Sequence, residues 1–170
     1  MIEGSLRERL VAEARKLLKR PFVHQGRNEF GVDCVGVAVL PMRAVGIDPP
    51  DLTAYDRYSA GKALPTQLAL IAVRIDLDDA EGGDVLTFPH ESIRSRAEKR
   101  EEHFAWLVSR WRMLHAWDQT RGVVEHELDE RWRRRVTGVW RLRAVAEDDR
   151  ARVHAAIANL ASRAEPVELG

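Results

Sequence analysis

The fold of this chain is decided by the stretch His103-Phe104-Ala105-Trp106-Leu107-Val108-Ser109-Arg110-Trp111-Arg112-Met113-Leu114-His115-Ala116-Trp117. It holds two short apolar segments, Phe104–Val108 and Met113–Trp117, on either side of a polar turn. Successive apolar segments bounded by turn residues predict two strands of an antiparallel hairpin. In that hairpin His103 begins one strand and His115 lies toward the end of the other, so strand pairing brings the two imidazoles together.

Segments of the same kind flank the hairpin. They lie around Asp84–Phe88, Val123–Glu127 and Val136–Leu142, and with the hairpin they predict a central antiparallel sheet of about five to six strands. The stretch from Pro89 to Glu102 is dense in charged residues. We expect this stretch to be a solvated, mobile excursion beside His103 and a candidate gate for a cleft.

Helical patterns occupy the other parts of the chain. Apolar residues recur at helical spacing from Ser5, a good N-cap residue, up to the turn before Pro21. Further helices are predicted from Cys34 through Val45, over Leu64–Val73 and over Glu147–Ala161. The fold class expected is therefore α+β, with N-terminal helices, one of them carrying the cysteine, packed on the sheet.

Length and charge limit the possible functions. A chain of 170 residues can bury one good core, so we expect one domain over residues 1–145 and a helical extension, packed on it or trailing it, over 146–170. Lys+Arg and Asp+Glu both number 27, which gives no general attraction to nucleic acid or anionic membranes. The arginines at 131–135 are diluted by acidic neighbours, so no nucleic-acid interface is predicted.

The sequence also predicts no membrane span, because no uncharged apolar run approaches the length of about 18 residues that a spanning helix needs. Its first residues are charged where a signal peptide would have an apolar core. We therefore expect synthesis in the cytoplasm without a signal peptide.

Cys34 is the only cysteine, which excludes an internal disulfide and a multi-thiolate zinc site. It follows the turn-prone Gln25-Gly26-Arg27-Asn28 and Gly31, and it begins a helix. A cysteine in the first helical turn faces unpaired N–H groups and the positive end of the helix dipole, which lower the thiol pKa and favour a nucleophilic thiolate. A buried packing role is the equal alternative, since a lone cysteine often behaves as a small apolar residue.

His103 and His115 are the candidate base and orienting residue for such a nucleophile, because the histidine pKa lies near neutrality. The rival constellation is a three-histidine zinc site, in which one further histidine joins these two. Candidates for that third ligand are His24, His90 and His126. No HExxH spacing supports a zinc site, so no metal and no cofactor is predicted. We expect structural or surface roles for His126 and His154, and an exposed position for His90.

Four motifs resemble, in this order, those of the NlpC/P60 cysteine peptidases: Asp33-Cys34-x-Gly36, Gly83-Asp84-Val85, His103-Phe104-Ala105-Trp106-Leu107 and Leu114-His115-Ala116. The resemblance spans about residues 5–143. Two further stretches, Arg20–Arg27 and Gly122–His126, resemble the phage-tail and gene-transfer-agent members of the family, thought to open peptidoglycan locally during DNA delivery.

The resemblance implies a papain-like mechanism in which Cys34 attacks an amide carbonyl of a peptidoglycan stem peptide, commonly the D-γ-glutamyl-diaminopimelate bond. Water then resolves the thioester. His103 acts as base and then as acid, His115 orients it, and the backbone N–H of Cys34 helps to form the oxyanion hole. The implied location is a virion or tail, with other phage tail proteins as partners. The alternatives are a non-catalytic tail-assembly or tail-tip protein with the same fold, and the same dyad used for acyl transfer or another amide hydrolysis.

The resemblance also gives candidate substrate-binding residues. Phe22 stands where many members have a tyrosine, and Val35 replaces the usual serine after the cysteine. Both changes make the pocket more apolar, which argues against recognition of a free stem-peptide N-terminus but leaves the Cys-His chemistry intact. His24 and Gln25, in the same turn, are expected to replace part of the lost polarity, and Asp33 of the motif completes the set.

Overall fold

Eight strands and five helices make up the described part of the chain, which comprises residues 4–51, 55, 60–89, 98 and 100–163 of a computed structural model. In chain order they are α1 (Leu6–Arg15), β1 (Arg27–Asn28), β2 (Gly31–Val32), α2 (Cys34–Ala44), α3 (Ala60–Ile71), β3 (Ala72–Arg74), β4 (Val85–Phe88), β5 (His103–Ser109), β6 (Arg112–Trp117), β7 (Gly122–Glu127), α4 (Glu130–Arg133), β8 (Gly138–Leu142) and α5 (Arg143–Arg163). Within these ranges no helix is both long and apolar enough to cross a bilayer.

The central sheet has six strands in the order β3-β8-β4-β5-β6-β7, and each strand is antiparallel to its neighbours. The hairpin of β5 and β6 pairs Trp106 with Leu114 and Leu107 with Met113. This arrangement, with helices on the sheet, confirms the predicted α+β fold class. A separate two-stranded ribbon of β1 and β2 lies just before α2.

Strand β5 is buried on both faces, which explains its unbroken apolar sequence. Phe104, Trp106 and Val108 belong to the core that the helices cover, whereas Ala105 and Leu107 belong to a second core on the opposite face. Side chains alternate between the faces of a strand, so a strand between two apolar layers has no polar positions. The hairpin is therefore the part of the sheet around which both cores form.

A hydrogen bond joins helix α2 to β5, and its acceptor is a carbonyl that a proline within the helix leaves without a helical donor. Pro41 lies inside the helix and has no N–H, so the carbonyl of Val37 loses its normal partner four residues later. The indole Nε1 of Trp106 donates to that carbonyl at 2.8 Å. Both side chains are fully buried, so the bond connects the cysteine-bearing helix directly to the strand that begins at His103.

The Gly83-Asp84 motif is part of an ion-pair network between helix α1 and the sheet. Asp84 is fully buried and accepts hydrogen bonds from Arg7 Nη1 at 3.0 Å and from Arg141 Nη2 at 2.8 Å. Arg7 also pairs with Asp149 of α5 at 2.8 Å. The carboxylate therefore links the first helix, strand β8 and the last helix, and its surroundings are those of a structural residue.

Two predicted elements differ from the structure. The helix expected over Leu64–Val73 begins at Ala60 and ends at Ile71, and the next three residues form strand β3 against β8. The last helix begins at Arg143 rather than Glu147, and all of residues 151–162 are exposed. The first difference arises from pairing with β8, a contact that local sequence patterns do not contain.

The expectation of a solvated segment over Pro89–Glu102 is wrong at its C-terminal end. Glu101 is only 9% exposed and accepts hydrogen bonds from Thr87 at 2.7 Å and Trp140 Nε1 at 2.9 Å. Arg74 pairs with the same carboxylate. Residues 90–97 and 99, on which the proposed gate depends, lie outside the described residues.

Candidate active site

Cys34 is the first residue of helix α2, and the residue before it forms the N-cap. Asp33 has an extended backbone, with φ of −109°, and its carboxylate accepts a hydrogen bond from the N–H of Gly36 at 2.9 Å. Such a cap satisfies one of the unpaired N–H groups at a helix start and fixes where the helix begins. The Asp-Cys order in the sequence thus places the thiol in the first turn of α2.

The glycine of the same motif allows a turn to pack closely against the helix. A Cβ on Gly36 would lie 2.4 Å from the carbonyl oxygen of Gly26, closer than any side chain can approach. Gln25, beside Gly26, has a positive φ of 58° and donates its N–H to Asp33 at 2.8 Å. Any larger residue at position 36 would therefore push this turn away from the cysteine.

Asp33 is held by donors from several parts of the chain. Besides the two backbone N–H groups, its carboxylate accepts hydrogen bonds from Arg27 Nη1 at 2.8 Å and from the hydroxyl of Tyr55. Arg27 is itself paired with Asp51 at 3.2 Å. Asp33, predicted to bind substrate, is only 2% exposed, and both of its carboxylate oxygens accept hydrogen bonds from the protein itself.

Cys34 as a residue is half-buried, and its sulfur lies beside the start of strand β5. The backbone N–H of Phe104, the residue after His103, donates toward its sulfur. Burial, reinforced by the negative charge of Asp33, raises the pKa of Cys34 to about 12, and the Phe104 N–H and Arg27 offset only part of this. The expectation that the helix start lowers this pKa is wrong, because desolvation outweighs the helix dipole. The resting residue is a protonated thiol.

Three imidazoles form an end-to-end chain on strands β5, β6 and β7. Nε2 of His103 lies 2.6 Å from Nδ1 of His115, and Nε2 of His115 lies 3.0 Å from Nε2 of His126. Nδ1 of His126 lies 2.8 Å from the backbone carbonyl oxygen of Glu127. Every nitrogen of His115 is therefore engaged with another histidine, and the chain ends on a main-chain acceptor.

Aromatic and charged residues enclose the middle of this chain. The ring of Trp132 packs against those of His115 and His126 with centroids 5.4 and 5.1 Å away, and Trp117 stacks on His115 at 5.6 Å. Burial holds the pKa of His115 well below its usual range, and the neighbouring histidines and Arg135 add to the effect. His115 is therefore a neutral ring.

His126 is the residue that the sequence reading missed, since a structural or surface role was expected for it. Its register partner on β6 is Met113, which makes it a same-face diagonal neighbour of His115. Both histidines were already in predicted strands, but their contact depends on the register between those strands, which the sequence alone does not give. Among the described residues no three histidine, cysteine or carboxylate side chains are arranged to hold a metal ion.

The other predicted substrate-binding residues are divided between the turn and the core. His24 Nε2 lies 3.1 Å from the carbonyl oxygen of Tyr55, and the Gln25 amide donates to that oxygen at 2.6 Å. Phe22 is half-buried against the helix-side core. Val35 is 4% exposed and lines an apolar pocket between α2 and α3 together with Phe104.

The fold and the site together define a class: an α+β protein with a cysteine at a helix start and paired histidines on adjacent strands of an antiparallel sheet. The sequence profile of the NlpC/P60 family matches residues 19–141, and the chain belongs to that family. A comparison with curated protein sequences found no match.

Solved structures of the family share this fold at low sequence identity. An NlpC/P60 family protein from Bacillus cereus superposes with a TM-score of 0.63 at 20% identity, covering 80% of this chain and 40% of that one. The peptidoglycan hydrolase RipB from Mycobacterium tuberculosis gives 0.53 at 17% identity, covering 80% and 64%. The NlpC/p60 domain of the peptidoglycan hydrolase SagA gives 0.51 at 20% identity, covering 80% and 97%. The chain thus spans about two fifths of the Bacillus cereus protein.

Proposed function

We propose that this protein is a cysteine peptidase that hydrolyses amide bonds in peptidoglycan stem peptides, of the D-γ-glutamyl-diaminopimelate type. The observation that carries the proposal is the hydrogen bond between His103 and His115. His103 begins β5, the strand that lies beside the Cys34 thiol, and His115 lies on the neighbouring strand β6. A nucleophile, a base and a residue that orients the base are the parts that this chemistry needs. RipB and SagA, which share the fold, are described as peptidoglycan hydrolases.

In the proposed reaction the proton of the Cys34 thiol passes to His103 as the sulfur attacks the amide carbonyl. The electron pair of the broken S–H bond forms the carbon–sulfur bond, and the backbone N–H of Cys34 stabilises the oxyanion. His103 then gives its proton to the leaving amine, and water hydrolyses the thioester with His103 as base. Because burial raises the pKa of the resting thiol, the reaction depends on His103 to take the thiol proton.

The test is cleavage of purified peptidoglycan and of a γ-D-glutamyl-diaminopimelate peptide, followed by mass spectrometry. The native chain is expected to release new amino termini, whereas Cys34→Ala and His103→Ala are expected to release none. His154→Gln is a matched control, because His154 is exposed on α5. Equal cleavage by native protein and Cys34→Ala would refute the nucleophile assignment.

A second candidate function is that of a non-catalytic module in a phage tail. The high pKa of Cys34 favours it, since activated cysteines normally have a lowered pKa. In that case neither the native chain nor the variants would cleave peptidoglycan, but tails lacking the protein would fail to assemble.

Association with a phage or prophage tail is also part of the proposal, with other tail proteins as partners. It is supported by the resemblance of Arg20–Arg27 and Gly122–His126 to tail-associated members. In the structure these stretches are neighbours, because Pro21 forms a bridge with Gly122 and the Arg20 carbonyl accepts a hydrogen bond from the Val123 N–H at 2.9 Å. Tail genes beside the coding gene, and detection of the protein in purified particles, are the expected findings.

A further inference from the structure

The end of the imidazole chain determines which nitrogens carry protons. Nδ1 of His126 lies 2.8 Å from the carbonyl oxygen of Glu127, and a carbonyl can only accept. Nδ1 of His126 must therefore be the donor. A neutral imidazole has one donor and one acceptor, so Nε2 of a neutral His126 must accept a hydrogen bond.

The same reasoning passes along the chain to His103. If Nε2 of His126 accepts, the nitrogen 3.0 Å away, Nε2 of His115, must donate. Nδ1 of the neutral His115 is then an acceptor, and the nitrogen 2.6 Å from it, Nε2 of His103, must donate. In neutral His103 the basic lone pair is consequently on Nδ1.

We propose that His126 is a positioning residue that acts through His115 to hold His103 in the Nε2–H tautomer, with Nδ1 as its basic nitrogen. The inference rests on the proposed function, in which His103 takes the proton of Cys34. His115 alone cannot set this tautomer, because Nδ1 of a neutral ring, which faces His103, can either carry the proton and donate or lack it and accept. The Glu127 carbonyl can only accept, so it fixes the tautomer of His126, and His126 in turn fixes that of His115.

In the described part of the chain, the surroundings of His115 contain no group besides His126 that fixes its tautomer. His115 is fully buried, so bulk water does not reach its ring to satisfy either nitrogen. Trp117 stacks on it and Trp132 packs edge-to-face, and these contacts supply no acceptor for an N–H in the plane of the imidazole. Loss of the His126 acceptor would leave a buried donor unpaired or turn the ring to its other tautomer.

A second proton on His126 would reverse both hydrogen bonds between the imidazoles, whereas Nδ1 of His126 would still donate to the Glu127 carbonyl. A doubly protonated ring donates from both nitrogens, so Nε2 of His115 would have to accept, and Nδ1 of His115 would donate to His103. His103 would then hold its own proton on Nδ1 and could not receive one from Cys34. The charge of Arg135 acts on His115, whereas Glu125, the neighbour of Val124 and His126 on β7, is paired with Arg15 and Arg112.

The first experiment reads the tautomers without any substrate. Nitrogen-15 NMR of the full chain with labelled histidines, at pH 8, distinguishes protonated from unprotonated ring nitrogens. The expected result is protonated Nε2 on His103 and His115 and protonated Nδ1 on His126. In His126→Leu the signals of His103 and His115 are expected to show mixed or exchanged tautomers.

The second experiment compares three replacements of His126 by kinetics on the stem peptide. The amide oxygen of His126→Gln can accept from His115, so most of kcat should remain. His126→Leu removes the acceptor, and His126→Lys supplies only a donor. Their kcat is expected to fall roughly 10- to 100-fold, with KM little changed, as a base in the wrong tautomer loses part of its general-base contribution. Thermal unfolding and His154→Gln control for misfolding.

These measurements separate the proposal from its alternatives. Native tautomers and native kcat in His126→Leu would overturn it. Equal losses in the Gln and Leu variants, with unchanged tautomers, would also overturn it, because they would show that His126 acts only by packing against Trp132. If the native chain cleaves no peptide, the proposed function fails, while the NMR result still decides whether His126 sets the tautomer of His103.

Discussion

Replacing Trp106 by phenylalanine should break the hydrogen bond that joins α2 to β5, and Pro41 should determine how much stability is lost. The Val37 carbonyl accepts from the indole at 2.8 Å and has no helical donor, because position 41 is proline. In Trp106→Phe this buried carbonyl is left unpaired, which costs about 1–3 kcal/mol. The smaller ring also leaves a void in a fully buried site, at about 1 kcal/mol or more. The expected loss is therefore about 2–4 kcal/mol.

Pro41→Ala restores an N–H that can donate to Val37 within the helix. In that background Trp106→Phe should cost only the void, so the two substitutions should couple by the cost of the unpaired carbonyl, about 1–3 kcal/mol. The assay is urea unfolding of the native chain, both single variants and the double variant, followed by far-UV circular dichroism with a check that the m-value is constant.

The matched control uses Trp140, whose Nε1 donates to Glu101 at 2.9 Å and has no connection with Pro41. The cycle of Trp140→Phe with Pro41→Ala should be additive within about 0.5 kcal/mol. Additivity of the same size between Trp106→Phe and Pro41→Ala would refute the reasoning, since it would show that the proline does not create the acceptor.

Three further predictions concern charge and pH. Asp84→Asn should destabilise the protein by about 3–5 kcal/mol, since it leaves buried Arg7 and half-buried Arg141 without the carboxylate that they share; calorimetry should show Tm lower by roughly 6–20 °C. Asp78→Asn, at an exposed ion pair, is the control and should leave Tm nearly unchanged. The lowered pKa of His115 means that only the unfolded chain binds its proton, so the free energy of unfolding should fall as pH drops below about 6.5. Urea titrations from pH 8 to 5 should show a smaller pH slope in His115→Gln. Because the pKa of Cys34 is about 12, iodoacetamide should alkylate the native thiol more slowly at pH 7 than the unfolded one. Its rate should rise about tenfold per pH unit, and fast, pH-independent labelling would contradict the high pKa.

Strong local patterns made the hairpin and the cysteine helix predictable. Strands β5 and β6 have apolar side chains on both faces and a polar turn, and Asp33 is a good N-cap residue directly before Cys34. The approach of His103 to His115 follows from hairpin pairing alone. These features depend on residues close in sequence or on a single turn.

The remaining features depend on distant contacts. Strand β3 is three residues that continue a helical pattern, and they become a strand only because β8 offers an edge. The contact of His126 with His115 depends on the register of β7, and the bond of Tyr55 to Asp33 joins two loops. The pKa of Cys34 was predicted in the wrong direction, because the helix dipole can be read from sequence whereas burial of the sulfur cannot.

The hydrogen bond between Trp106 and Val37 spans 69 residues, and this separation has a consequence for the newly made chain. Position 34 leaves the ribosome 92 residues ahead of position 126. At ordinary elongation rates, roughly 5–18 s pass between synthesis of Cys34 and synthesis of His126. Closing so long a loop costs entropy that only the completed sheet can offset. Helix α2 can therefore pack against β5 and β6 only after those strands have been made, and His126 joins His115 later still, with β7.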